Sequence, residues 1–339
     1  MSKSAATIRD IALILGISKS TVSRALNNHH DVNPETARKV RDLATKIDYH
    51  PNLLAQHLKQ QRTNTIGVII PETVNRFFAK AVGGIQEVAN RAGYNVMICQ
   101  SNESLTLERN NLQTLIASKV DGLLISVSRE TDRHDHLQYA IDKEVPLVFF
   151  DRIVEELNVS QVYSDNYDIC FQATEHLLTQ GCKRIAFIAG PQHLYNSRNR
   201  LNGYLGALKK HNINISESLI VDTNYKVNDV EDYTRYLFNL QQKPDGIFAI
   251  NDMAALEIMH ILKKRGLSIP KDVAVLGFNN ETICRLVEPS LSSIDHPAFD
   301  MGAAATEILL MQIAKKEIVH EKRLIKSRLV VRESTNRIL

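Results

Sequence analysis

Along the first sixty positions the apolar residues recur at helical spacing, and from Thr65 the spacing changes. Ile8, Ile11, Ala12 and Leu15 share one face of a helix that Thr7 can cap, and Gly16 follows where a left-handed turn would end it. Ser18 can cap a second helix, with Val22 and Leu26 four apart on one side. Asn33-Pro34 opens a third, whose stripe is Val40, Leu43, Ala44 and Ile47. Tyr49-His50-Pro51 breaks it, a short helical piece spans 52–59, and 60–64 is a polar linker.

Beyond the linker, short β-rich runs alternate with helix-length stretches. The runs are 66–70, 94–99, 122–126, 146–150, 184–189, 246–250 and 273–278, and 327–331 reads as a last strand. Strands alternating with helices predict βαβ units and parallel sheets. Lys119-Val120-Asp121-Gly122-Leu123-Leu124-Ile125 echoes Lys243-Pro244-Asp245-Gly246-Ile247-Phe248-Ala249, as two similar lobes require, although Asp-Gly before a strand is also common turn chemistry. The expected organisation is a small all-α helix-turn-helix head over 1–50, a hinge helix and linker over 51–64, and an α/β core of two parallel-sheet lobes over 65–339.

Charge sharpens this division. The net charge is +3, but residues 1–62 hold ten Lys and Arg against five acids, so the head carries +5 and the remainder −2. A basic head on a slightly acidic body suits a polyanion partner for the head alone. Lys19, Ser20, Ser23, Arg24 and Asn27 fall on the outward side of the second helix, all able to donate to bases or phosphates. A helical bundle without a ligand has the same composition, so these residues alone leave both readings open. No run of eighteen apolar residues predicts a membrane span, and the N-terminus lacks a secretory pattern. Cys99, Cys170, Cys182 and Cys284 lie far apart, as reduced core thiols in a cytoplasmic protein would. There is no dinucleotide, P-loop or zinc-protease motif, and His134-x-His136 lies in a charged stretch that reads as solvated; neither an enzyme nor a cofactor is expected.

The stretches Thr7-Ile8-Arg9-Asp10-Ile11-Ala12, Gly16-Ile17-Ser18 and Ser20-Thr21-Val22-Ser23-Arg24-Ala25-Leu26-Asn27 resemble the head of the lactose/galactose repressor family of transcriptional regulators. The resemblance continues at Tyr49-His50-Pro51-Asn52, at 63–71, 183–191 and 200–204, at 244–252 and 269–278, and at 329–334. It implies that the second helix enters the major groove of operator DNA, with Lys19, Ser20 and Arg24 at base-reading positions and Thr21 and Ser23 on phosphates. Thr7, Ser18 and Asn27 join that DNA-facing set. In the hinge, Asn52, Ala55 and Leu58 match the family's minor-groove segment, where Leu58 would wedge between base pairs.

For the body, the resemblance implies a periplasmic-binding-protein-like fold of two lobes joined by three crossovers, with a small-molecule effector, a carbohydrate, between them. Ligands in open α/β sheets sit at the carboxyl ends of strands. The candidates there are Asn75, Phe77, Phe78, Asp151, Arg152, Asn251, Asp252 and Asn279, with Arg200 expected to open a helix after Gly190-Pro191. Phe77 and Phe78 can equally be core, and Asp252 can equally cap a helix. Tyr225 joins by resemblance. Many members carry Asp where this chain has Asn279, so its hydroxyl recognition differs. The resemblance also implies a homodimer on a pseudo-palindromic operator, and residues 333–337 hold no apolar heptad for a tetramer. The rival reading is a solute-binding protein without a regulatory role.

Overall fold

The computed structural model describes residues 6–49, 62–223, 230–315 and 319–337. The chain divides into two compact units, Met1–Thr63 and Asn64–Leu339. In the first, α1 (Ile8–Leu15), α2 (Lys19–Leu26) and α3 (Pro34–Lys46) surround a core of Ile11, Ala12, Val22, Ala25, Ala37, Val40 and Ala44. Thr7 and Asp10 form a reciprocal cap: the Thr7 N–H donates to the Asp10 carboxylate at 2.8 Å, and Asp10 N–H to Thr7 Oγ1 at 3.4 Å. Gly16 ends α1 at φ +65°, Ser18 Oγ accepts from Thr21 N–H at 3.1 Å, and Asn33 caps α3 ahead of Pro34. Ala25 rather than Leu26 is the second fully buried residue of α2, because position i+3 from Val22 turns further inward here than i+4. The expected helix over 52–59 lies outside the described residues.

The second unit holds two six-stranded sheets of matching order. Its first lobe runs β1 (Thr65–Ile70), α4 (Arg76–Arg91), β2 (Asn95–Gln100), α5 (Leu105–Ala117), β3 (Gly122–Ile125), α6 (Asp135–Asp142), β4 (Leu147–Phe150), β5 (Ser160–Ser164). The second lobe runs α7 (Asn166–Thr179), β6 (Ile185–Ala189), α8 (Tyr195–Lys210), β7 (Ile220–Asp222), α9 (Val230–Asn239), β8 (Gly246–Phe248), α10 (Asp252–Lys264), β9 (Ala274–Phe278), β10 (Ser292–Asp295). The chain then returns to the first lobe through α11 (Ala298–Ala314) and β11 (Lys322–Ile325), and ends its sheets in the second with β12 (Arg328–Val330). The sheet orders are β11-β5-β4-β3-β1-β2 and β12-β10-β9-β8-β6-β7, parallel except for β12 against β10. The chain therefore passes between lobes three times, after β5, β10 and β11.

The echoed segments fall on β3 and β8, which hold equivalent places in the two orders. Their aspartates do equivalent work. The Asp121 carboxylate accepts from Asn64 N–H at 2.9 Å ahead of β1, and that of Asp245 from Lys183 and Arg184 N–H ahead of β6. Three strands are absent from the periodicity reading: β5 and β10 carry serines where a buried strand is expected to be apolar, and β11 is a charged, partly exposed edge strand. Their serines are satisfied internally: Ser160 Oγ accepts from Gln312 Nε2 at 2.7 Å and Glu321 N–H at 2.9 Å, and Ser292 Oγ meets Thr335 Oγ1 at 2.7 Å. The short edge strand β7 was missed as well.

In each lobe glycine lets two helix backbones touch, at Gly84 and Gly302 in the first and at Gly203 in the second. A Cβ at Gly302 of α11 would stand 2.0 Å from the Ala81 carbonyl oxygen of α4, and one at Gly203 of α8 would stand 2.3 Å from the Tyr167 carbonyl oxygen of α7. Gly302→Ala must push α11 from α4, and overpacking of this kind costs about 1–3 kcal/mol. Urea unfolding should show the midpoint falling accordingly; an unchanged midpoint would contradict this packing.

Candidate functional site

In the head, Lys19, Ser20, Arg24 and Asn27 are exposed, and Thr21 and Ser23 are half-buried. Thr7 and Ser18 spend their hydroxyls on capping, Ser18 Oγ also meeting Ser20 Oγ at 2.7 Å and Thr21 Oγ1 at 2.9 Å. The Asn27 carboxamide donates to the Ser23 carbonyl at 2.8 Å. Asn52, Ala55 and Leu58 lie outside the described residues.

In the body, a cavity of about 110 Å³ lies where the two lobes face each other. Asn75, Phe77, Phe78, Asp151 and Arg152 line it from the first lobe, and Arg200, Asn251 and Asn279 from the second. Each sits at or just past the carboxyl end of a strand, or on the helix that follows it, as the topology requires. Asn75 and Asn251 also cap α4 and α10, accepting from Phe77 N–H at 3.0 Å and Ala254 N–H at 2.8 Å. Phe77 and Phe78 are both buried core and cavity wall, so the two readings of them coexist.

Three expectations need correction or fall outside. Asp252 is fully buried, neither lines the cavity nor caps α10, and instead ties loops together. Its carboxylate accepts from Ser293 Oγ at 2.5 Å and Glu281 N–H at 2.7 Å, and burial lifts its pKa to about 6 against those bonds. One residue decides the difference, since Asn251 already occupies the capping position. Arg200 does not open its helix: α8 begins at Tyr195, and Arg200 reaches the cavity from its second turn. Tyr225 lies outside the described residues.

The cavity also gathers Glu72, Glu103, Arg129, Asn196, Ile250 and His296. Glu72 and Glu103 follow β1 and β2, and Arg129 follows β3, so the strand-end rule that found Asp151 also reaches them. His296 follows β10, whose polar sequence concealed the strand. The His134-x-His136 pair does not act together. His136 is buried with Nε2 2.7 Å from Glu108, which also accepts from Ser128 N–H, while His134 precedes α6.

One buried ion pair anchors the cavity. Arg152 grips Glu103 through two bonds of 2.7 and 2.9 Å, and Arg129 N–H donates to the same carboxylate at 2.7 Å. Burial alone would raise the Glu103 carboxyl, but the Arg152 guanidinium and the Arg129 N–H and charge together outweigh it and hold the group below the ordinary range. Arg200 Nε donates to Asn166 Oδ1 at 2.8 Å, and its guanidinium lies 3.7 Å over the Phe278 ring. Asp151 is held at φ +60°, and burial raises its pKa against the pull of Arg200 and Arg152. The His296 ring stacks on Phe77 at 4.6 Å and meets the Phe278 edge at 5.2 Å; burial first, then Arg200, push its pKa far down, so the imidazole is neutral. Asp151 Oδ1 and His296 Nδ1 are both buried without hydrogen-bond partners. Three acids, three arginines and a ring of carboxamides thus present hydrogen bonds with little net charge, beside aromatic faces. That chemistry suits a neutral, hydroxyl-rich molecule.

The Arg152–Glu103 pair sets one clear expectation. Glu103→Gln removes the carboxylate that a buried guanidinium grips through two bonds, and breaking a buried pair of this kind costs about 3–5 kcal/mol. Because the folded Glu103 pKa is depressed, the pair's contribution is complete above the ordinary carboxylate range and fades as pH falls through the folded value. Urea unfolding at pH 7 should show the loss, with the gap from wild type narrowing in acid; equal stability at pH 7 would contradict the assignment.

Comparison with known proteins agrees with both halves. Residues 7–52 match the model of the bacterial regulatory proteins of the lacI family, and residues 174–335 the periplasmic binding protein-like domain. The chain is 33% identical over 331 residues to the ribose operon repressor of Halalkalibacterium halodurans, covering 97% of each. It superposes on the lac repressor dimer bound to operator and an anti-inducer with a TM-score of 0.88 at 24% identity, covering 98% of this chain and 99% of that one. It also matches the transcriptional regulator CelR in complex with cellobiose, with a TM-score of 0.74, 27% identity and coverage of 97% and 99%. A helix-turn-helix head, a two-lobed binding body and a full-length relative at this identity make the chain a member of the LacI family of DNA-binding transcriptional regulators.

Proposed function

We propose that this regulator is a cytoplasmic repressor that binds a pseudo-palindromic operator as a homodimer and changes its grip when a neutral carbohydrate occupies the cleft. The observation that carries the effector class is the charge-balanced cavity, with carboxamides at Asn75, Asn196, Asn251 and Asn279. A phosphorylated sugar would bring about two further negative charges into a cavity whose three acids and three arginines already balance, whereas hydroxyls find donors and acceptors on every side. The ribose operon and cellobiose relatives support the same class. In this reading the cavity residues of both lobes contact the effector, with Tyr225 beside them, and Asp252 supports the wall from behind.

On DNA, Lys19, Ser20 and Arg24 read bases, and Thr7, Ser18, Thr21, Ser23 and Asn27 hold the backbone. Asn52, Ala55 and Leu58 act in the minor groove. Two copies are needed, because one recognition helix reads too few base pairs for useful discrimination. The body offers surfaces for pairing: β2 is an open sheet edge carrying exposed Met97 and Ile98, Val74 after β1 is 84% exposed, and the second lobe exposes Tyr236, Met253 and Leu286. The helical head disfavours a solute carrier without a regulatory role.

The test combines a thermal-shift panel of neutral carbohydrates with operator binding. A neutral sugar should raise the melting temperature and change operator affinity. Arg200→Ala should weaken that sugar about 10- to 100-fold, the worth of a hydrogen bond from a charged donor, while leaving sugar-free operator binding intact. Binding only to phosphorylated sugars, or full sugar affinity in the variant, would contradict the reading.

A further inference from the structure

Resting on the DNA-binding reading above, we propose that Asp31 is a positioning residue that orients Arg24, and so sets how strictly one base pair of each half-site is read. The outward face of α2 holds no acid, but the loop after it brings one in. Arg24 Nη1 donates to Asp31 Oδ2 at 3.1 Å. The other oxygen, Oδ1, meets His29 Nδ1 at 2.7 Å, so both carboxylate oxygens are engaged.

The loop that presents Asp31 is itself fastened. His29 N–H donates to the Arg24 carbonyl at 2.9 Å, and Val32 N–H to the His29 carbonyl at 3.2 Å. Asn28 takes a left-handed φ of +54°, and its side-chain oxygen accepts from Arg41 Nη1 of α3 at 2.6 Å. The His29 and His30 rings stack 4.9 Å apart. Arg24 is therefore caught by a carboxylate on an ordered loop, not by a second freely moving side chain.

Stability does not explain this arrangement, because exposed ion pairs contribute little. Affinity does not explain it either: an acid beside DNA repels phosphates and weakens binding to every sequence alike. Orientation does. A guanidinium has five N–H donors in a rigid fork, and one given to Asp31 leaves four. Two parallel donors suffice for the O6 and N7 acceptors of guanine. An untethered arginine can swing to a phosphate and bind any sequence, whereas a tethered one is kept on the base edge. On this account Asp31 exchanges general affinity for discrimination at a single position.

The experiment selects binding sites from a randomised duplex library with the full-length protein, comparing wild type, Asp31→Asn, Arg24→Ala and the double variant. Wild type should show a strong base preference under Arg24. Asp31→Asn keeps the shape but not the charge, and should lower that preference at least about fivefold while preferences elsewhere in the half-site persist. The double variant should select the same sites as Arg24→Ala alone. An unchanged preference, or a uniform rise in affinity with preference retained, overturns the positioning role while DNA binding stands. If wild type selects no sequence, the DNA-binding reading fails and this inference falls with it.

Discussion

Where the two lobes of the body meet, polar atoms are buried away from water, and each has to find its partner in the protein or in a bound ligand. The three crossovers satisfy most of that demand among themselves. His296 Nε2 meets Ser164 Oγ at 3.1 Å, joining the second crossover to the first, and Asp165 accepts from Ser327 N–H at 2.8 Å, joining the first to the third. Arg200 extends the same network into the cavity through Asn166. Two buried polar atoms beside the cavity, Asp151 Oδ1 and His296 Nδ1, remain without a hydrogen-bond partner. A buried polar atom without a partner costs about 1–3 kcal/mol, so a ligand that supplies hydroxyls there gains binding energy at the place where the lobes are joined.

That placement links occupancy to shape. Asp151 and Arg152 belong to the first lobe, Arg200 and Asn279 to the second, and His296 to a crossover. A ligand touching all of them discriminates between arrangements of the lobes, and only such differential contact shifts a conformational equilibrium. The tight glycine contacts, Gly302 against Ala81 and Gly203 against Tyr167, keep helix pairs rigid within each lobe, so change is directed to the crossovers rather than absorbed inside the lobes.

Much of this was legible where a local rule carries the information. Thr7, Gly16, Ser18 and Asn33-Pro34 mark the ends of the head helices through capping chemistry that depends on neighbours three or four residues away. The strand-end rule located Asn75, Asp151, Arg152, Asn251 and Asn279. It failed where strands are polar. The serines of β5 and β10 are buried through bonds to residues more than forty positions away, which no local pattern reports, and His296 went unseen with β10. Asp252 misled for a related reason: its partners Ser293 and Glu281 lie about thirty to forty residues on. In the head, the Arg24–Asp31 pair spans only seven residues but depends on the left-handed turn at Asn28, which the helical spacing does not encode.

The central claim is that one effector is held by both lobes and by the crossover between them. Amide hydrogen exchange, with and without the carbohydrate that raises the melting temperature, tests it most directly. The account predicts added protection around Asp151–Arg152 in the first lobe, around Asn196–Arg200 and Asn279 in the second, and at His296 between them. Protection confined to one lobe, with the other and the crossover unchanged, would contradict it.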